Sequence, residues 1–349
     1  MASRKSGGSK GGPAARTAAP KKNGKAQAKK PKANLIDEVP PAPRAEVPDE
    51  QPVKEPEPTQ AASPTIKIFQ IWYEPLQREL IDPAFIPLDN RGTPSEYLEF
   101  DMFNRLFLSE HVKDADLWGA LSWRFTEKTG LTGADLLKVI EDNPGHDVYF
   151  CNPYPKHEAL FHNLWVQGET AHPRFLELVR AFLTAAGLPV EDTEMLWPSS
   201  IYSSANYFVG TPRFWQAYLS FITGAIRGAE QSLPQDIKDA LHSTAADDRN
   251  LHGGSSYMPF IVERLFPLFL RTGGRGLKAL KVPLPVLENE LDVHLRLLRQ
   301  MKDAAHSGKS AWLGACWANY RSLYFAQLHG QEWTRKYLRA VTPTEFKFG

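Results

Sequence analysis

Glu263 and Arg264 sit side by side inside an otherwise apolar run, Pro259-Phe-Ile-Val-Glu-Arg-Leu-Phe266. Burying either charge without a partner is costly, so the pair is either an internal tie or working chemistry. In the second case Glu263 is a general base that accepts a proton from a hydroxyl, with Arg264 holding an anionic ligand beside it. Arg124 and Lys128 stand at and just past the end of a strand-like run, residues 117–125, where two cations can neutralise a diphosphate. Asp147 opens a second short apolar run that Asn152 closes, and Asn206 leads a third. Asp147 is the candidate for a catalytic or metal-holding carboxylate, and Asn152 and Asn206 are candidates for ligand hydrogen bonds. Asp248, in the glycine-rich stretch Asp247-Asp-Arg-Asn-Leu-His-Gly-Gly254, is a second candidate metal ligand, in a loop suited to closing over a site. Trp165 offers an aromatic face on which a ligand ring can stack, although a tryptophan is more often core.

Positioning such groups takes strands that end together. Residues 66–73 alternate β-branched and aromatic side chains and read as a first strand. Residues 117–125, 147–151 and 205–210 read as three more, separated by helical spacing over 97–106, 132–142 and 173–187. This alternation predicts βαβ units and an α/β domain with a mostly parallel sheet, whose ligands bind at the carboxyl ends of the strands. By that rule Asn152 and Tyr154, past the end of their strand, reach the ligand edge more readily than Asp147 at its start. Helices follow over 236–243 and 258–270, and residues 284–339 read as packed C-terminal helices.

Composition divides the 349 residues differently. Residues 1–32 hold ten Lys or Arg and no acid, and residues 33–64 hold seven Asp or Glu against two basic residues, with frequent proline. Neither stretch can repay the entropy of ordering, so a disordered arm is expected over 1–64, followed by an α/β domain over 65–283 and a helical extension over 284–349 packed on it. The overall charge of +1 leaves the part from residue 65 onward net acidic, which argues against a nucleic-acid binder. The basic arm remains suited to a peripheral contact with an anionic membrane face. Two cysteines, Cys151 and Cys316, make neither a disulfide framework nor a zinc site. With no secretory signal and no long apolar run, a cytoplasmic protein is expected.

Four islands in order resemble a family of bacterial glycosyltransferases encoded with capsule and exopolysaccharide genes. Gly119-Ala-Leu-Ser-Trp-Arg124 looks like the family's Gly-Leu-x-His-Tyr-Arg strand, and Asp147-Val-Tyr-Phe-Cys-Asn-Pro153 resembles its aspartate-led strand. Asn206-Tyr-Phe-Val with Phe214-Trp215 is similar to its Asn-led strand and aromatic helix, and Phe260-Ile-Val-Glu-Arg-Leu-Phe266 to its Glu-Arg-Leu-Phe helix. Ser122 stands where the family has His, Trp123 where it has Tyr, and no Asp-x-Asp follows a strand. The resemblance implies a nucleotide-diphospho-sugar transferase fold of the GT-A type, a nucleotide-sugar donor, a surface-glycan or lipid-linked acceptor, and Mn²⁺ or Mg²⁺ at the diphosphate. The alternative expectation is a non-catalytic glycan-binding or scaffold protein that keeps the fold.

Overall fold

A computed structural model describes residues 64–93, 95–244 and 255–349. The arm expected over 1–64, apart from Pro64, and the candidate ligand Asp248 lie outside the described residues.

Six strands form one sheet: β1 (Ile66–Trp72), β2 (Ile86–Asp89), β3 (Leu117–Ser122), β4 (Val148–Phe150), β5 (Phe208–Gly210) and β6 (Ala279–Lys281), in the order β2-β1-β3-β5-β4-β6. β1 pairs parallel with β2 and β3, and β4 parallel with β6, whereas β5 runs antiparallel to both β3 and β4. The sheet is therefore mixed, which corrects the expectation of a mostly parallel one. Reversal of β5 has a useful consequence. Its start, not its end, lies beside the carboxyl ends of the other five strands.

Along the strands, side chains point alternately to the two faces, and both faces are covered. Phe69, Ile71, Trp118, Ala120, Val148, Phe150 and Phe208 enter the larger core, while Ile68, Leu117, Leu121, Tyr149 and Val209 enter the smaller one. Before and after β2 lie α1 (Pro75–Arg78) and α2 (Glu99–Phe107), and β3 is followed by α3 (Phe125–Thr129) and α4 (Gly133–Asp142). Thr132 caps α4, accepting from Asp135 N at 3.1 Å while Asp135 reaches back to Thr132 N, a reciprocal box that explains the clean start. Between β4 and β5 come α5 (Pro155–Leu160), α6 (Leu164–Ala171) and α7 (Phe175–Ala185). The 21-residue α8 (Pro212–Ser232) opens with Thr211 as cap and Pro212 at its first position.

On α8, Trp215 stacks on Trp118 with ring centroids 4.1 Å apart and donates to the Trp118 carbonyl at 2.9 Å. Next to it, β3 and β5 lie so close that a Cβ on Gly119 would stand 2.3 Å from the Phe208 carbonyl oxygen. Gly119→Ala must spread the two strands and is expected to cost about 1–3 kcal/mol, read as a lower urea midpoint at unchanged slope.

Next come α9 (Gln235–His242), α10 (Tyr257–Glu263), α11 (Leu265–Thr272), α12 (Pro285–Asn289), α13 (Val293–Ser307) and α14 (Ala311–His329). The helix expected over 258–270 is broken at Glu263 and Arg264, where one turn ends and another begins. The C-terminal pair α13 and α14 closes over the end of α5. Trp317 Nε1 donates to the Ala159 carbonyl (2.8 Å), Arg321 to Leu160 (3.1 Å) and Lys302 to Phe161 (2.9 Å). Two buried cations thus face the negative end of α5. Burial pushes Lys302 down to about 7 and Arg321 down to about 9.

Candidate functional site

The carboxyl edge of the sheet collects the polar residues. From β3 come Ser122, Arg124 and, one turn into α3, Lys128; from the end of β4 come Asn152, Tyr154 and His157; from the approach to β5 come Asn206 and Tyr207. Glu263 and Arg264 join them from the α10–α11 break, and Glu99 from the first turn of α2. The fields of Glu99 and Tyr154 both act on Tyr207, beside Ser122, and those of Glu99, Lys128 and Arg264 act on Glu263.

Local ties aim these groups. Gln70, buried in β1, donates from Nε2 to the carbonyls of Ser122 and Trp123, both at 3.2 Å, and so fixes the exit of β3. The Ser122 hydroxyl then accepts from Arg124 N at 3.1 Å. Before Glu99 the backbone turns at Leu98 with φ 52°, a conformation that side-chain-bearing residues seldom adopt. Ser95 Oγ donates to the Leu98 carbonyl at 2.8 Å and holds that turn. Strain maintained this way is a feature of positions where direction matters more than stability.

Glu263 is the distinctive group. Protein surrounds it closely, yet 27% of its side chain stays open to solvent. Burial pushes its carboxyl up to about 7; Arg264, 3.8 Å away, and Lys128 pull it back, and Glu99 adds to the rise. At neutral pH it therefore exchanges a proton readily, the condition for general acid–base work. Tyr154 stacks on His157 with centroids 5.2 Å apart, and burial, reinforced by Arg264, lowers His157 to about 4, so its imidazole is neutral.

Other expected residues do different work. Arg264 is 7% exposed; it donates to the Phe260 carbonyl and to Gln167 Oε1, each at 2.8 Å, and lies 5.1 Å over the Phe175 ring. It ties α6 and α7 to the α10–α11 break and acts on Glu263 through its charge. Asn152 is buried, donating to Glu158 at 2.7 Å and to the Tyr154 carbonyl at 3.2 Å while accepting from Ser204 Oγ at 3.0 Å, so it organises the edge from behind. Arg124 is open to solvent, forked onto Glu127 at 2.9 and 2.5 Å. Asn206 is half-buried at the edge.

Two expectations are corrected. Trp165 is fully buried, its indole N–H donating to Asp192 at 2.9 Å, and cannot stack on a ligand. Asp147 lies at the opposite edge of the sheet, because it precedes β4; its carboxylate accepts from Lys278 N at 2.8 Å and faces Arg213 at 3.4 Å. Among the described residues no group of three His, Cys, Asp or Glu side chains is placed to hold a metal ion. Glu99 and Tyr207 went unnoticed in the sequence. The signal for Glu99 is an acid opening a helix.

Compared with family models, curated proteins and solved structures, the chain matches none of them. Its class is set by its fold: an α/β protein with a mixed six-stranded sheet. No helix among the described residues is long and apolar enough to cross a membrane.

Proposed function

We propose that the chain is a glycosyltransferase of GT-A type that moves a sugar from a nucleotide-sugar donor to a surface polysaccharide or lipid-linked acceptor. The observation that carries this reading is Glu263, poised near neutrality and open to solvent at the ligand edge, within the field of Lys128. Glu263 takes the proton of the acceptor hydroxyl as that oxygen bonds to the sugar's anomeric carbon and the bond from that carbon to the diphosphate breaks. The departing diphosphate carries the negative charge, and Lys128 and Arg124 stand where cations can receive it. Arg124 must first leave Glu127, an exposed pair of the kind that contributes only about 0–1 kcal/mol. Asn206 is placed to hydrogen-bond the substrate from the start of β5.

Among the described residues no group of three His, Cys, Asp or Glu side chains is placed to hold Mn²⁺ or Mg²⁺, and in this reading Lys128 and Arg124 carry the charge of the diphosphate. Ten basic residues in 1–32 support a peripheral contact with the cytoplasmic face of the inner membrane, where lipid-linked acceptors are met.

Thermal unfolding of the full chain against uridine, guanosine, cytidine and thymidine diphospho-sugars tests the donor. One nucleotide should raise the midpoint by several degrees, and Lys128→Met should remove most of that rise without lowering the unliganded midpoint. A chain that no nucleotide sugar stabilises is not a transferase of this kind, and a non-catalytic glycan-binding protein then fits it better.

A further inference from the structure

Behind the candidate site, the same strand edge opens into a second cleft of about 230 Å³, between the ends of β4 and β6 and helices α12 and α13. Asn152, which orders the β4 end by donating to the Tyr154 carbonyl, lines this cleft, so the two sites stand back to back on one loop. At its base Glu158 is buried. It accepts from Asn152 at 2.7 Å and from Lys281, and lies 3.7 Å from Arg299. Two cations thus share one enclosed carboxylate, and the field of Asp303 on Arg299 offsets part of the positive charge left over.

Glu288 balances the rest from the mouth. Arg299 donates to its two carboxylate oxygens at 2.6 and 2.5 Å, a fork on a carboxylate. But Glu288 belongs to a five-residue helix and its side chain is 38% exposed, whereas Glu158 is shut in. The outer carboxylate can swing into water while the inner one cannot. Pro283 and Leu284 supply an apolar wall to the same cleft, the surface on which the C–H face of a sugar packs.

We propose that this cleft is a remote subsite for a uronic-acid-type unit of the acceptor glycan, away from the unit whose hydroxyl meets Glu263, and that the uronate's carboxylate takes the place of Glu288 on Arg299. The proposal rests on the reading of the chain as a glycosyltransferase and adds to it the class of acceptor: an acidic glycan. Glu288 marks the anion position in the cleft, Arg299 and Lys281 supply the charge, and the wall carries the ring.

Calorimetric titration of the full chain with glucuronate and galacturonate, with glucose and galactose, and with inorganic phosphate tests this in the absence of any donor. A uronate should bind while both neutral sugars do not, Arg299→Met should abolish binding, and Glu288→Gln should tighten it about five-fold by removing the internal competitor. A purely structural ion pair would not give that gain. The proposal is overturned if neutral sugars bind as well as uronates, if phosphate alone binds, or if Glu288→Gln fails to tighten a uronate. Should Arg299→Met unfold, Glu288→Gln still decides the matter, since it removes only a rim carboxylate. Uronate binding without any nucleotide-sugar stabilisation would sustain the cleft and refute the transferase reading; the reverse pattern would refute the cleft alone.

Discussion

Glu263→Gln is expected to lower the transfer rate by about 10²- to 10⁴-fold while making the folded protein harder to unfold above neutral pH. The two effects share one cause. Burial raises the folded-state carboxyl to about 7 against an ordinary value of 4.5, so folding favours the protonated form. Relative to an ordinary carboxyl, Glu263 costs nothing below pH 4.5. Its cost grows as pH rises from 4.5 to 7 and is then constant, at up to about 3 kcal/mol. Gln keeps the shape and hydrogen-bonding capacity of the protonated acid but never ionises. Urea unfolding of the two proteins should therefore agree near pH 4.5 and diverge to the variant's advantage by pH 8. Transfer by the wild type should meanwhile rise through a midpoint near 7, since the base must be ionised to act. A variant that stays within about three-fold of the wild-type rate would remove Glu263 from the role of base, and equal stability at pH 8 would mean that its charge is better solvated than its surroundings indicate.

This trade is the reason Glu263 was legible at all. A charged residue in Pro259-Phe-Ile-Val-Glu-Arg-Leu-Phe266 breaks the rule that apolar faces stay apolar, and such local conflicts mark functional or tied positions. The same rule could not separate Glu263 from Arg264, one open to the site and the other enclosed, because exposure depends on where the helix breaks. Ile66–Trp72 was readable from its alternation, but Ile86–Asp89 carries Pro87 and Ala279–Lys281 has only three residues, so both edge strands lacked a periodic signal. The reversal of β5 left no trace in Phe208-Val-Gly210, since strand direction is set by the path of α5, α6 and α7 and not by the strand's own residues. Direction decides placement here. It puts Asn206 and Tyr207 at the carboxyl edge of the sheet, while Asp147, at the start of a strand running the other way, falls at the far one.

Trp165 is core, as a tryptophan more often is, and its partner predicts the largest stability loss. Asp192 is wholly buried, accepting from Trp165 Nε1 at 2.9 Å and Trp197 Nε1 at 3.3 Å and pairing with Arg271. Three donors from separate parts of the chain converge on one carboxylate, which a reading by local spacing cannot detect. Asp192→Ala leaves two buried indole N–H groups and a partly buried guanidinium without their acceptor, and should cost about 3–5 kcal/mol in denaturant unfolding. Burial raises the Asp192 carboxyl above its ordinary range despite Arg271, so the ionised form is itself under tension. Asp192→Asn, which retains an acceptor and drops the charge, should therefore cost clearly less than Asp192→Ala. Equal losses would assign the effect to the carboxylate's charge on Arg271, and a loss below about 1 kcal/mol for Ala would mean that water replaces the carboxylate. The clamp also reaches the site: Gln167, two residues after Trp165 on α6, accepts from Arg264 at 2.8 Å, and Arg264 holds Glu263 within its field. Asp192→Ala that remains folded should then shift the midpoint of the pH–rate profile, whereas a loosening confined to the core would leave that midpoint near 7.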